Sequence, residues 1–454
     1  MTTPTLEGVR AFDEIPIIEF PENYADTYLS FLAKTARLHG PVVRRAVPDE
    51  MHERFGAWFV YLIGPDANRF VLQTHRHLFS HDLGWTPALE PIMDRGLLNT
   101  DDPAHAWQRR LMNPAFAVAY MNRYVPLMSR VVERRTSDWL ERGEVDLYEE
   151  SREITFDVAA EALVGLESGA TVDRLRYLFV QLLHGETNVD ETFEEFMERV
   201  IRARTELDEM LLRLIAERRR SPTDDILGML VSAHDEDGHS LSDRELLGQV
   251  HILLVAGHET TTTLNAWLLY LLASHPAYLG RVHAELDAAL GAADGALDLK
   301  ALRGLRLLGY AMDEAGRLYP PVAALPRGTV ADVTFGGYVI PAGTQIRLVV
   351  GACHRLPEIF AEPDRFDPDR FAPPREEGKA NPYALAIFGG GPRICIGINF
   401  AQIEMRIAAA HILRHFSLEP IPQQPVVHRY YGVTPSIPSG IHVRVHERRA
   451  RTDG

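Results

Sequence analysis

Residues 242–275 carry the feature that most limits how this chain can fold. Apolar side chains recur at helical spacing along the whole segment. Ser242 and Glu245 can form a capping box at its start, and Pro276 follows its last residue. Such a helix would extend for about 50 Å at about 1.5 Å per residue. Helices of this length usually cross a whole domain, so the segment predicts a large protein built around one central helix.

The middle of this segment has the weakest helical propensity within it. It reads AGHETTTT (256–263), and both Gly257 and the β-branched threonines are poor helix formers. Either tertiary packing overrides this propensity, or the helix opens locally beside a ligand and hydroxyl groups replace backbone hydrogen bonds. Both interpretations stay open at this point. A zinc motif of the HExxH type is excluded, because Thr262 stands where the second histidine would be.

The rest of the chain predicts a mainly α protein with a small β component. Helical spacing of apolar residues recurs in four further segments, which are 22–39, 117–165, 173–218 and 397–416. Strand-like patterns are found in three segments, which are 57–64, 332–350 and 440–446. Gly336 and Gly337 predict a hairpin turn within the middle one. Because no linker divides the sequence, we expect residues 1–454 to form a single domain. Its N-terminal part, about 1–75, would contain strands, and about 76–454 would be the helical core.

Composition and charge exclude several classes of protein. The formal net charge is -16, so there is no basic excess to neutralise nucleic-acid phosphates. Two cysteines are too few for a disulfide framework, a Cys-rich zinc site or a cysteine-ligated iron–sulfur cluster. The first residues, MTTPTLEGVRAFDEIPIIEF, contain neither a basic region nor a long apolar run. We therefore expect no leader peptide, no membrane anchor and a cytoplasmic location.

One of the two cysteines, Cys395, lies in the glycine-rich stretch FGGGPRICIG (388–397). The predicted helix that follows places its thiol at or just before a helix N-terminus, and Arg393 lies two residues upstream. Both features favour the thiolate form. The alternative is an unreactive buried thiol, because cysteine is among the most buried residue types. A phosphate-binding loop is not supported, because no Walker lysine follows the glycines.

Five short motifs resemble those of the cytochrome P450 family and occur in the family's order. The stretch around Cys395 matches the family pattern F-x-x-G-x-R-x-C-x-G. The other four motifs are HAWQRR (105–110), AGHETT (256–261), EAGR (314–317) and PDRF (368–371). The resemblance therefore extends over most of the chain. It implies a single cytochrome P450 fold in which the long central helix lies over a haem.

By this resemblance the cofactor is haem b, iron protoporphyrin IX bound non-covalently, with Cys395 as the metal ligand and O2 as co-substrate. A thiolate donates electron density that favours O–O cleavage, whereas a histidine ligand is found in globins. The glycines would let the backbone approach the porphyrin, and arginines would pair with its propionates. The residues implied in cofactor binding are His105, Arg109, Ala256, Gly257, Arg327, Phe388, Gly389, Arg393 and Gly397.

Glu259 and Thr260 occupy the positions of the family's acid–alcohol pair, which implies that they are catalytic. Reduction of O2 takes up protons, and a hydroxyl group backed by an acid can supply them. The resemblance gives a different role to Glu314, Arg317 and Arg370. It implies that these three form a buried structural triad.

Substrate contacts are implied only by matching regions of the family. The candidates are Leu97, Leu98, Val322, Ala323, Ala324, Leu325, Val433 and Thr434. Most are small or aliphatic, which suggests an apolar small-molecule substrate. No redox domain is fused to the motifs, so we expect a bacterial-type monomer that receives electrons from a ferredoxin or flavodoxin-type donor with its reductase.

The resemblance implies a haem-thiolate monooxygenase that hydroxylates or epoxidises its substrate. Two alternatives remain open from the sequence. One is a peroxide-driven peroxygenase, although the intact Glu259–Thr260 pair favours the use of O2. The other is a haem-based ligand sensor without turnover, which would leave that pair unexplained.

Overall fold

The computed structural model describes residues 9–90, 92–183, 192–290, 297–424, 426–428, 430 and 438–448. The α-helices in these ranges are α1 (Tyr24–His39), α2 (His52–Phe55), α3 (Pro65–Arg69), α4 (His81–Leu89), α5 (Ala104–Met112), α6 (Val118–Thr136), α7 (Trp139–Arg142), α8 (Leu147–Val164), α9 (Ala170–Leu183), α10 (Phe193–Arg220), α11 (Ile226–Ser232), α12 (Asp243–Ser274), α13 (Pro276–Leu290), α14 (Leu299–Gly304), α15 (Arg306–Leu318), α16 (Val350–Cys353) and α17 (Ile398–His415).

The described strands are short, with at most six residues. They are β1 (Val42–Ala46), β2 (Trp58–Leu62), β3 (Phe79–Ser80), β4 (Glu144–Asp146), β5 (Leu325–Thr329), β6 (Val333–Phe335), β7 (Tyr338–Ile340), β8 (Gln345–Leu348), β9 (Phe416–Pro420), β10 (Val427–His428), β11 (Pro438–Ser439) and β12 (His442–Glu447). The prediction of a mainly α protein with a small β component is therefore confirmed. In the described ranges, no helix is both long enough and apolar enough to cross a membrane.

The predicted central helix is present as α12. Its capping box is formed: the backbone N–H of Glu245 donates to Ser242 Oγ (3.3 Å), and the backbone N–H of Ser242 donates to Glu245 Oε2 (2.9 Å). The helix ends at Ser274, directly before His275 and Pro276. It is α-helical throughout, so tertiary packing overrides the weak propensity of its middle, and the alternative of a locally opened helix is wrong.

Two of the other predicted helices are divided. Segment 117–165 contains α6, α7, β4 and α8, and segment 173–218 contains parts of α9 and α10. Gly143 ends α7 in the left-handed region with φ of +67°, which a glycine adopts without steric cost. Thr192 begins α10 with its own capping box. Strand β1 was not predicted, because its sequence VVRRA does not alternate between apolar and polar residues, and β9 was not predicted, because its alternation is short.

Contacts within the chain divide it into two compact units. Unit 1 comprises Met1–Pro87, Tyr310–Cys395 and Val426–Ser439. Unit 2 comprises Ala88–Gly309, Ile396–Pro425 and Gly440–Gly454. That they act as a single domain stays a prediction.

Unit 1 is organised by a five-stranded sheet of order β1-β2-β8-β5-β3. Strands β2 and β8 are parallel, and the other neighbours are antiparallel. The hairpin of β6 and β7 turns at Gly336 and Gly337, as predicted, with φ of +59° and +83°. Two successive positive φ values are typical of the type I′ turn, which explains the Gly-Gly pair.

The two faces of this sheet bury different clusters. One face contributes Val42, Val60 and Ile346 to an aliphatic cluster. The opposite face contributes Val43 and Tyr61 to a second cluster, which includes Tyr28, Leu29 and Leu32 of α1. We call this second side of the sheet the α1 face. The side-chain alternation of strands places Arg45, Phe59 and Arg347 on it as well.

Unit 2 is built around α12, which packs most extensively against α8 and also contacts α10 and α17. The polar residues of α12 are paired across this packing. Thr262 Oγ1 lies 2.6 Å from Thr155 Oγ1, and Asn265 Nδ2 donates to Ser151 Oγ (3.0 Å). Such pairing is required, because an unpaired buried polar group would cost about 1–3 kcal/mol. The small three-stranded sheet of this unit has the order β4-β12-β9.

The first half of α12 is approached closely by the segment that carries Leu97. A Cβ added to Gly248 would lie 2.0 Å from the carbonyl oxygen of Arg95, so only glycine fits there. The neighbouring Gln249 accepts the backbone N–H of Leu97 on Oε1 (2.9 Å) and donates to Gln108 Oε1 (3.1 Å). Backbone approach and side-chain hydrogen bonds together fix this segment on the helix.

Replacing Gly248 by alanine is therefore expected to destabilise the protein by about 1–3 kcal/mol, because backbone atoms of Arg95 would have to move. The matched control is Gly280→Ala in α13, where an added Cβ meets nothing within 4 Å. This control should be stabilised by about 0.5–1 kcal/mol through helix propensity. Thermal unfolding measures both; equal midpoints for the two variants would contradict the close packing.

Candidate active site

The loop around Cys395 has a backbone conformation that requires glycine. Gly389 and Gly391 have φ of +72° and +63°. A Cβ on Gly391 would lie 2.1 Å from the carbonyl oxygen of Leu72, so the two backbones touch. The N–H of Cys395 donates to the carbonyl oxygen of Phe388 (2.9 Å), which closes the loop. The glycines thus fix where the thiol is presented.

The two cysteines have opposite environments. Cys395 is exposed, whereas Cys353 is fully buried and burial raises the pKa of its thiol to about 12. The alternative of a buried thiol is therefore wrong for Cys395. Helix α17 begins at Ile398, three residues after Cys395, with Gly397 as its N-cap. An exposed sulfur just before a helix N-terminus is in an environment that favours thiolate.

The candidate propionate-binding residues occur as two pairs. In unit 2, His105 and Arg109 lie one turn apart on α5, and His105 Nδ1 is 3.2 Å from Asp102 Oδ1. In unit 1, Arg327 is buried on β5, with Nη1 donating to the carbonyl oxygen of Pro326 (2.6 Å). Arg393 is half-buried in the short 3-10 turn before Cys395.

Helix α12 is buried on all sides except one strip. Between Leu246 and Leu269, where every residue is described, only Val255, Ala256, Gly257 and Thr260 are not buried. Ala256, Gly257 and Thr260 recur at helical spacing, so they share one face. We call these three the open strip. A Cβ on Gly257 would meet only Leu163 Cδ1, at 3.9 Å, so packing within the chain does not require glycine there.

The acid–alcohol pair sits at this strip. Thr260 Oγ1 donates to the carbonyl oxygen of Ala256 (2.8 Å) and stays on the open side of the helix. Glu259 is buried beside it, and its Oε1 lies 3.0 Å from Nε2 of the equally buried His258. His258 Nδ1 is 2.8 Å from the carbonyl oxygen of Leu254, which can only accept, so Nδ1 carries a hydrogen.

The carboxyl group of Glu259 lies near Tyr148 in the core of unit 2. Burial raises the pKa of Tyr148, and the carboxyl group of Glu259 is the next contributor to that rise. Besides its ion pair with Glu259, the ring of His258 packs edge-on against Phe156. Thr261, Thr262 and Thr263 are buried.

Glu314, Arg317 and Arg370 are brought together in unit 1 with no exposed side-chain surface. Arg317 Nε donates to Glu314 Oε2 (2.7 Å), and Arg370 Nε donates to Glu314 Oε1 (3.0 Å). The structure adds a fourth member, Glu377, whose Oε2 accepts from Arg370 Nη1 (2.5 Å). Backbone carbonyls of His354, Pro363 and Arg365 accept further hydrogens from Arg317. Sequence reasoning missed Glu377, because no motif marks it.

The tentative substrate residues fall in separate places. Leu97 is buried in unit 2 beside Leu98, on the segment held by Gln249. In unit 1, Ala323 and Ala324 belong to the cluster on the α1 face, next to Val322 and to Leu325 of β5. Val433 and Thr434 lie outside the described residues.

These structural features were compared with known proteins. The family model described as Cytochrome P450 matches residues 23–441. A Mycobacterium tuberculosis relative named cytochrome P450 136 is 34% identical over 402 residues, which are 86% of this chain and 78% of that protein. A Synechocystis relative named cytochrome P450 120 is 30% identical over 379 residues, or 82% of this chain and 83% of that protein.

Solved structures of other proteins have a similar fold. The structure described as retinoic acid bound cyanobacterial CYP120A1 has a TM-score of 0.81 and 26% identity, covering 96% of this chain and 99% of that one. The cytochrome P450DA haem domain has a TM-score of 0.82 at 24% identity, covering 97% and 98%, and shows the fold alone.

The fold and the exposed cysteine loop define a haem-thiolate oxidoreductase. The chain belongs to the cytochrome P450 family, whose members are monooxygenases that use a haem iron with a thiolate ligand and O2. The predicted family, fold and enzyme class are therefore confirmed. P450 enzymes in general receive electrons from redox partners.

The buried network around Glu314 yields a stability prediction. Arg370→Met removes one cation from a cluster without exposed side-chain surface, and we expect a loss of about 3–5 kcal/mol in unfolding free energy. Arg375→Met is the matched control, because Arg375 is half-exposed and pairs with the same Glu377 (2.6 Å). It should cost no more than about 1 kcal/mol. Denaturant unfolding compares them, and similar losses would show that burial does not determine the cost.

Proposed function

We propose that this protein inserts one atom of O2 into an apolar small molecule by hydroxylation or epoxidation. In hydroxylation, R–H, O2, two electrons and two protons give R–OH and water. The observation that carries the proposal is the open strip of α12. It presents the Thr260 hydroxyl on the one unburied face of the helix, directly next to the buried acid Glu259. A proton-consuming reaction needs such a pair, whereas simple ligand binding does not.

The residues present fit haem b, held without covalent attachment. Cys395 would bind its iron through the thiolate, with Phe388, Gly389 and Gly397 around the sulfur. The exposed thiol and the glycines of its loop suit this role. The thiolate-ligated iron would supply the activation of O2. The propionates would pair with His105, Arg109, Arg327 and Arg393, and Ala256 and Gly257 would allow close approach of the macrocycle, since a Cβ on Gly257 has free space.

Thr260 and Glu259 would handle the protons. The Thr260 hydroxyl now donates to the carbonyl oxygen of Ala256, and rotation about χ1 turns its hydrogen toward the open side. Glu259 would resupply that hydroxyl, because its carboxyl group is buried one residue away. The threonines that follow are buried and keep the helix packed.

We further propose that the two units work as one domain, in a cytoplasmic monomer that receives electrons from a separate ferredoxin or flavodoxin-type protein with its reductase. Bacterial relatives support this assignment. The substrate would contact Leu97, Leu98, Val322, Ala323, Ala324 and Leu325, and Val433 and Thr434 by position in the sequence. The cyanobacterial structure of 26% identity is bound to retinoic acid, a largely apolar molecule, and this also supports an apolar substrate.

Replacing Cys395 tests the cofactor assignment. The reduced wild-type protein with carbon monoxide is expected to show the red-shifted Soret band of thiolate-ligated haem, and Cys395→Ser should lose it. Cys353→Ser is the control, since the buried Cys353 should leave the band in place. A band that survives in Cys395→Ser would overturn the proposed ligand.

Replacing Thr260 tests the reaction. In a system reconstituted with a donor and reductase, Thr260→Ala should lower product formed per reductant consumed by about tenfold or more, with hydrogen peroxide released instead. Thr261→Ala, a buried neighbour on the packed side, should keep the wild-type ratio. Equal yields in the two variants, or full turnover with peroxide alone, would favour a peroxygenase; no product with any donor would favour a sensor.

A further inference from the structure

Arg347 on β8 is a buried cation that has no carboxylate partner among the described residues. Its residue surface is 8% exposed. Among the described residues, no Asp or Glu lies within ion-pair distance of its guanidinium group. Its only hydrogen bonds there are from Nη1, to Gln345 Oε1 (3.3 Å) and to the carbonyl oxygen of Ile346 (3.2 Å). The guanidinium carbon lies 4.0 Å from the ring centre of Phe59, so it is stacked on an aromatic face.

Three other buried arginines of unit 1 make more extensive polar contacts within the chain. Arg317 and Arg370 share the carboxylate of Glu314. Arg44 donates to the carbonyl oxygens of Asp13 and Ile15 from two different nitrogens. A guanidinium does not lose its charge in proteins, and an uncompensated buried charge is strongly destabilising. The position of Arg347 is therefore that of a cation whose anion comes from outside the chain.

A second cation and a phenol accompany it on the α1 face. Tyr61 of β2 lies directly opposite Arg347 of β8 in the sheet. Arg45 of β1 lies opposite Phe59 of β2. The guanidinium carbon of Arg45 lies 4.8 Å from the ring centre of Phe20, which packs on the same cluster, and Arg45 too has no ion pair among the described residues. Both arginines lower the pKa values of Tyr28 and Tyr61 against the effect of burial, so both charges lie near the same two phenols.

The remainder of this cluster is apolar. It contains Ala323 and Ala324, two of the residues proposed to contact substrate, together with Tyr28, Leu32 and Tyr430. The Tyr430 hydroxyl is buried and has no hydrogen-bond partner among the described residues. Small side chains beside two cations and phenolic hydroxyls suit a ligand with an apolar body and one anionic end.

We propose that Arg347, assisted by Arg45 and Tyr61, binds the carboxylate of the substrate, which is an apolar monocarboxylic acid such as a fatty acid. The guanidinium group can take a carboxylate with two parallel N–H···O bonds. Because the whole chain carries a net charge of -16, it repels anions at long range, and a local cation is needed to hold one. This assignment rests on the proposed monooxygenase function and names its substrate class.

The test is calorimetric titration of the haem-loaded full-length protein with dodecanoate and tetradecanoate, each compared with its methyl ester and its primary alcohol. The wild type should bind an acid at least about tenfold more tightly than the ester of equal length. Arg347→Met should reduce that preference to about one while leaving the ester affinity unchanged. Arg347→Lys should retain part of the preference, because the charge remains but the planar fork is lost.

Arg44→Met is the matched control, since Arg44 is buried in the same sheet but points to the opposite face. It should keep the wild-type ratio of acid to ester affinity even where its unfolding temperature falls. Acids that bind no more tightly than their esters, or not at all, overturn the proposal. So does an Arg347→Met protein that is less stable but keeps the preference, because Arg347 is then structural only.

The outcome is independent of the proposed reaction. Calorimetry measures binding without turnover, so the preference for acids can hold even where Thr260→Ala shows that the reaction was wrongly assigned. Conversely, a normal Soret band in the reduced carbon monoxide complex, together with equal affinities for acid and ester, would reject the carboxylate site and leave the haem-thiolate assignment in place.

Discussion

Burial of α12 on nearly all sides is the constraint on which unit 2 depends. A helix surrounded by protein has to be apolar, or has to pair every polar group that it carries. The hydroxyl contact of Thr262 with Thr155 and the amide contact of Asn265 with Ser151 meet this requirement. The same rule explains the pairing of Glu259 with His258. The open strip is not surrounded in this way, and the proposed chemistry is placed there.

Unit 1 contains buried charged side chains in two different arrangements. Around Glu314 the chain supplies both the negative and the positive charges. Their ion pairs connect the end of α15 to the segment that contains Arg370. At Arg347 the described residues supply only the positive charge. The first arrangement is self-sufficient and structural, because all its partners are covalently part of the protein. The buried charge of Arg347 is stabilised when an anion binds beside it, and this is the physical reason for considering it a binding site.

Much of the fold was predictable because its signals are local. The ends of α12 are given by Ser242, Glu245 and Pro276, and the turn between β6 and β7 by two glycines. The division of segments 117–165 and 173–218 was not predictable, because the apolar pattern continues across the breaks. The site motifs were found by resemblance. Glu377 and Arg347 were not, since their roles depend on neighbours that are distant in sequence.

The cysteine loop touches the segment Phe70–Thr74 through main-chain atoms, with the carbonyl oxygen of Leu72 occupying the space that a side chain at position 391 would need. Every residue has the same carbonyl group, so position 72 can change identity without disturbing this contact. The position of the thiol therefore depends on the backbone of Leu72, and the type of residue at position 72 gives no sign of this dependence. A search for positions that vary together would overlook it, although a one-residue insertion there would displace the sulfur.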